Sequence, residues 1–149
     1  MSGRISVDTM AVEDLRRVYL LGQRVLPKTA VPCRPSWGSA ELAEVYSEFP
    51  ELCLIARRKN QFLGFLIGSV ENDCEGPLAM MLWRGSDPRF AHLPVMRHLW
   101  EEFRKRVAQK DLRRIMALPV AEDREMDFFL KNDFTEKNPC RTMIHFMEG

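Results

Sequence analysis

No apolar run in this chain approaches the roughly 18 residues of a membrane-spanning helix. The opening MSGRISVDTMAVEDL has acids where a signal peptide would have an apolar block, so export is not expected. Cysteine is sparse, and Cys33, Cys53, Cys74 and Cys140 stand far apart with no C-x-x-C pair. Their spacing offers no zinc site and no secreted disulfide framework, so reduced thiols in a cytoplasm are expected. His92 and His98 are six apart with no acidic or cysteine ligand between them, which argues against a metal site. Charge of one sign is lacking too: 22 Lys and Arg against 21 Asp and Glu leave +1. No overall field argues for nucleic acid or an acidic partner. Repeats and low-complexity tracts are absent. What is present is ordinary for a globular protein, with 46% hydrophobic and 29% charged residues. A chain of 149 residues suits one domain, residues 1–149, with a real core.

Periodicity divides the chain. Ile5 to Val7 suits a short strand, and Thr9 a helix N-cap. From Val12, the residues Leu15, Val18, Tyr19, Gly22 and Val25 recur at helical spacing until Pro27 ends the pattern. The proline-rich PKTAVPCRPSWGS is a loop, and Ser39 can cap a second helix with Ala40, Ala43, Tyr46, Leu42 and Phe49 as its inward candidates. Then the period becomes that of strands: Leu52–Arg58, Phe62–Val70 and Pro77–Gly85, with KNQ and NDCEGP as turns. Gly64 and Gly68 inside the second of these predict a bulge or a close backbone approach. The third is continuously apolar and should be buried on both faces. Met96, Leu99, Trp100, Phe103 and Val107 form a helical stripe. Arg113–Ala121 is a further buried strand, marked by Pro119 near its end. Asp123 can cap a last helix, TEKNP reads as a turn, and Cys140–Glu148 is a final strand. The order β-α-α-β-β-β-α-β-α-β predicts an α/β (α+β) sandwich with helices on both faces of one mixed sheet.

One stretch lacks what its position calls for. PRFAHLPVMRHLW, Pro88 to Trp100, runs from a strand into a helix, where phosphate loops commonly lie, yet it contains no glycine. Arg84, Arg89, His92, Arg97 and His98 are either side-chain anion holders or surface charges beside a structural turn. Farther on, Arg104, Lys105, Arg106, Lys110, Arg113 and Arg114 form a basic run broken by Glu101, Glu102 and Asp111. A solvated helix face is its default reading, and a nucleic-acid partner is not expected.

The element order resembles the GCN5-related N-acetyltransferase (GNAT) superfamily over nearly the whole chain. The family loop reads roughly V-x-P-x-x-R-G-x-G-I-G-x-x-L. Anchored on Pro88, Val95 and Leu99 fall on its Ile and Leu, while Ala91 replaces Arg and His92, Pro94 and Met96 replace the glycines. A later motif reads roughly N-x-x-A-x-x-F-Y-x-x-x-G-F. Anchored on Phe134, Phe128 matches, but Glu122, Glu125, Phe129 and Asp133 replace Asn, Ala, Tyr and Gly. The apolar frame is kept and the polar signature is not.

The resemblance implies a mixed central sheet of six to seven strands and acetyl-CoA, or another acyl-CoA, as co-substrate, with no metal. It implies a gap between the fourth and fifth strands for the pantetheine arm, which Pro119 suits. It places Leu82, Arg84, Arg89 and His92 on the cofactor side, with Leu93, Val95, Met96, Arg97 and Phe129. It places Arg34, Trp37 and Glu71 at an acceptor pocket, though Trp37 serves equally as a plug on the sheet. No residue is singled out as catalytic base, and Phe129 cannot donate a proton as the family Tyr does. Two functions follow. One is an N-acetyltransferase acting on a small-molecule or peptide amine. The other is a degenerate binding or regulatory module, in which a homodimer is one arrangement.

Overall fold

The computed structural model describes residues 4–26, 36–117, 131–132, 134–137 and 142–147. The described residues form seven strands and three α-helices: β1 (Ser6–Thr9), α1 (Leu15–Val25), α2 (Ser39–Glu48), β2 (Cys53–Arg58), β3 (Gln61–Asp73), β4 (Gly76–Ser86), α3 (Val95–Gln109), β5 (Arg114–Ala117), β6 (Thr135–Lys137) and β7 (Thr142–Phe146). The strands make one seven-stranded sheet in the order β1-β2-β3-β4-β5-β7-β6. Only β4 and β5 pair in parallel, and α3 is the crossover between them.

Strand alternation sorts the core into two layers. Leu54, Leu66 and Met81 face α3, where they meet Leu99, Trp100 and Phe103. Cys53, Ile55, Ile67 and Met80 face α1 and α2, where they meet Val18, Leu21 and Leu42. Helices therefore cover both faces, which is why the middle strands read as continuous apolar runs. The buried Cys53 thiol is pushed up to about 12 by desolvation. Cys74, in the β3–β4 turn, is exposed.

Several local expectations are corrected. Thr9 closes β1 rather than capping a helix, and Val12 is exposed at the start of a 3-10 turn. In that turn the Asp14 carboxylate accepts from the Ala11 N–H at 2.8 Å. Ser39 is the first residue of α2, and the N-cap is Gly38. Ala40 and Ala43 are exposed; Leu42 is buried as expected, and Val45 packs inward beside it with Tyr46. An alanine adds so little apolar area that larger neighbours decide the face. The β3–β4 hairpin is longer than NDCEGP suggested, because β3 runs on to Asp73. TEK of TEKNP is a strand, β6, paired with β7. The proposed helix from Asp123, the strand end at Pro119, and Cys33 and Cys140 lie outside the described residues.

Arg114, in the basic run, is buried. It donates to Asp73 at 2.6 and 2.7 Å and to the Gly76 carbonyl at 3.0 Å, pinning β5 to the β3–β4 turn. Arg106 likewise binds Glu102, Thr9 and the Glu51 carbonyl. The run is therefore not one free cationic face.

Candidate active site

The site is organised by β4. Ile67 stands opposite Trp83 and Gly68 opposite Met81, so Leu82 is one extra residue, a bulge. A bulge bends a strand and resets its alternation. Accordingly Leu82 and Trp83 both face the α1–α2 layer. Two glycines permit this. A Cβ on Gly68 would lie 2.4 Å from the Phe103 ring, and one on Gly64 would lie 2.6 Å from the Gly85 carbonyl. Pairing of β4 with β5 covers Ala79–Met81, and β4 runs on for five residues, to Ser86.

After Ser86 the chain folds tightly. Asp87 is buried, and its N–H donates to the Leu63 carbonyl at 2.8 Å. Its carboxylate accepts from the Arg89 backbone N–H at 3.0 Å and from the Arg89 guanidinium at 2.9 Å, with Arg24 at 3.6 Å. The Arg89 hydrogen bond holds this carboxyl below the usual range, against its own desolvation. The Phe90 ring lies between the guanidinium groups of Arg58 and Arg89, at 5.9 and 5.3 Å.

The start of α3 has fewer open amides than an ordinary helix. A helix begins with four N–H groups that lack intrahelical acceptors. Here the first position is Pro94, with no N–H. The second, Val95, donates to the Leu93 carbonyl at 2.8 Å. Only Met96 and Arg97 remain, with no protein acceptor among the described residues. Around them Arg89, His92 and Arg97 are exposed, while Val95 is buried and Leu93 and Met96 pack half-buried on the α3 layer. Arg84 is half-buried, opposite Leu66. Phe129 lies outside the described residues.

On the other side of the bulge, a cleft of about 350 Å³ opens between α2, β3 and β4. Glu41, Glu44 and Glu48 of α2 line it, with Ser69 and Glu71 of β3. Val45 and Leu82 supply its apolar wall, and Phe49 and Val70, whose side chains pack on the α3 layer, border it. Glu41 turns back over Gly38. No cation among the described residues pairs with Glu44, Glu48 or Glu71. Ser69 is 3% exposed, and its hydroxyl has no hydrogen-bond partner among the described residues. A buried polar group left unpaired costs about 1–3 kcal/mol. Sequence reasoning weighed Glu71 but missed the α2 acids, whose i, i+3 and i+7 spacing was legible, and Ser69, which carried no local signal.

Trp37 does not line this cleft. It packs between Tyr19 and Phe65, edge-on to Trp83 at 5.1 Å, and its indole N–H donates to the Tyr19 carbonyl at 3.1 Å. Gly22 leaves the room for it. Arg34 lies outside the described residues. Among the described residues no cluster of His, Cys, Asp and Glu could hold a metal ion, and no helix is long and apolar enough to cross a membrane.

A mixed sheet in this element order, with a helix opening straight after the fourth strand and helices on both faces, is the GNAT fold, and this chain has it. No family model and no curated protein sequence matches the chain. Solved structures do. Ard1 from Thermoplasma volcanium superposes with a TM-score of 0.80 at 17% identity, over 97% of this chain and 99% of that one. The PaiA N-acetyltransferase from Thermoplasma acidophilum, solved with coenzyme A, gives 0.77 at 15%, over 98% and 99%. Arabidopsis thaliana Naa50, solved with the bisubstrate analogue CoA-Ac-MVNAL, gives 0.73 at 11%, over 97% and 99%. At these identities the likeness is one of fold.

Proposed function

We propose that the chain is a single acyltransferase domain, residues 1–149, that moves an acyl group from acyl-CoA, acetyl-CoA in the first instance, to an amine. The observation that carries this reading is the division of β4 at Leu82. Beyond the bulge the strand leads to a helix start ringed by cations, and at the bulge it borders a cleft lined by carboxylates. The coenzyme A complexes of similar fold support it.

The donor phosphates lie against the Met96 and Arg97 amides and the helix dipole. Arg84, Arg89, His92 and Arg97 replace the missing amides. The backbone of Leu93 and Val95 shapes the turn, and Phe129 has no proton to give as an acid. The acceptor enters from the cleft. An ammonium group gives up a proton to a cleft carboxylate, Glu71 being the one on the strand that also bears Ser69. The nitrogen lone pair attacks the thioester carbonyl carbon, the C–N bond forms and the C–S bond breaks. The departing thiolate takes up the proton that the acylated nitrogen loses, leaving a neutral amide and free thiol. Holding both partners in one geometry supplies much of the rate, as in any such transfer.

Titration with acetyl-CoA tests this. Binding heat and a rise in Tm are expected, since a ligand at a hundredfold its Kd adds about 2.7 kcal/mol of stability. No heat and no thermal shift at millimolar ligand would exclude the reading. The depleted helix start favours a second one, a non-catalytic module that keeps the fold. Release of free thiol with any amine would eliminate that alternative.

A further inference from the structure

The chain is nearly neutral overall, yet its α2–β3 cleft gathers four carboxylates. Every charged residue of α2 is acidic. Glu44 and Glu48 sit four apart, where like charges repel. Glu48 lies in the last turn, against the negative end of the helix dipole. Two local rules are thus broken on one flank, and a bound cation offsets both.

The second observation is independent of charge. Gly68 faces Phe103 of α3, so by alternation Ser69 faces the α2 side, and Glu71 with it. The Ser69 hydroxyl is buried there with no partner among the described residues, and it lines the same cleft. A hydroxyl in that position accepts a hydrogen bond from an N–H group entering the cleft. Between Ser69 and the α2 acids the wall is Val45 and Leu82, with Phe49 at its edge, which suits methylene groups.

We infer that this cleft takes a linear aliphatic amine bearing at least two positive charges, held by the Ser69 hydroxyl at one nitrogen and by Glu44, Glu48 and Glu71 at another. Three carboxylates without a cation exceed what one ammonium neutralises. That this amine is the acyl acceptor rests on the acyltransferase reading; that the cleft binds it does not.

The test is calorimetric titration of the intact chain, without acyl-CoA, using spermidine and 1-butylamine as probes. Spermidine is expected to bind at least about tenfold tighter than butylamine, and to weaken as salt is raised. Ser69→Ala and the double variant Glu44→Gln, Glu48→Gln are each expected to remove most of that preference. The double variant also removes a like-charge pair, so its fold should be as stable as the parent or more so. Loss of binding with an unchanged Tm is therefore not unfolding. Equal affinity for the two probes, or binding untouched by these substitutions, overturns the inference. Acetyl-CoA titration and thiol release separate the two claims. If butylamine or a short peptide supports thiol release while spermidine does not bind, the inference fails and the acyltransferase reading stands. Charge-dependent spermidine binding without any acetyl-CoA binding has the opposite meaning: the cleft ligand holds and the acyltransferase reading fails.

Discussion

Gly68 shows how much one hydrogen in place of a methyl can decide. Its Cα lies where the β4 bulge begins and where the Phe103 ring of α3 rests on the sheet. A Cβ there would stand 2.4 and 2.7 Å from two ring carbons and 3.0 Å from the Met80 carbonyl. Gly68→Ala must therefore push α3 away from the strand or distort the bulge. Overpacking of this kind costs about 1–3 kcal/mol. Urea denaturation should show that loss. Adding Phe103→Leu should recover part of it, so that the two changes cost less together than their sum. Strict additivity would mean that the ring is not what the methyl meets. This glycine was legible in the sequence as a bulge or close approach, because glycine inside an apolar strand has few other reasons to be there. Trp37 was legible only as a choice between lining a pocket and plugging the sheet. Nothing local to SWGS tells that Tyr19, Gly22, Phe65 and Trp83 come together around it.

At the scale of elements, α3 was legible because its stripe is long and regular, and Val95, Leu99, Trp100, Phe103 and Val107 are all buried. β6 was not legible. Thr135–Lys137 is three residues with no apolar alternation, and only its register with Thr142–Ile144 makes it a strand. The start of α3 was legible in a more useful way. Pro94, legible as a residue in place of a family glycine, stands at the N-cap, where its missing N–H removes a donor. The Val95 N–H, turned back to Leu93, is a second loss that no sequence rule foretells. Pro94→Gly restores an N–H beside the Met96 and Arg97 amides and removes no side-chain contact of the core. One added hydrogen bond to a phosphate is worth about 1 kcal/mol after the extra freedom of glycine is discounted. The variant should bind acetyl-CoA about fivefold tighter by calorimetry. An affinity equal to or below the parent would show that the helix start is not where the phosphates lie.

Across the whole molecule, two carboxylates join elements that are distant in sequence, and both are held below their usual pKa values. Glu51, between α2 and β2, meets Lys110 at the end of α3. Burial works against ionisation of Glu51, but the Lys110 hydrogen bond and the nearby Arg106 outweigh it. Asp87 ties the end of β4 to Leu63 of β3, to Arg89 and to Arg24 of α1. Lys110 read in sequence as part of a solvated face, and no spacing rule links Glu51 to Lys110 or Asp87 to Arg24. Each carboxyl releases its proton more readily folded than unfolded, where the usual values are 4.5 for Glu and 3.8 for Asp. Their stabilisation is therefore complete above about pH 5 and is lost as pH falls through the lowered folded values. Stability measured by urea denaturation should decline from about pH 5 toward pH 3. The two sites should not share that decline equally. Glu51 and Lys110 are both partly exposed, so Glu51→Gln should cost about 0.5 kcal/mol at pH 7. The Asp87 carboxylate is 6% exposed and accepts backbone and guanidinium bonds, so Asp87→Asn should cost about 1–2 kcal/mol. Each variant should flatten the acid limb in proportion to its own cost. An acid limb identical in parent and Asp87→Asn would mean that other carboxyls carry the pH dependence and that the Asp87 junction does not fasten β4 to the rest of the fold.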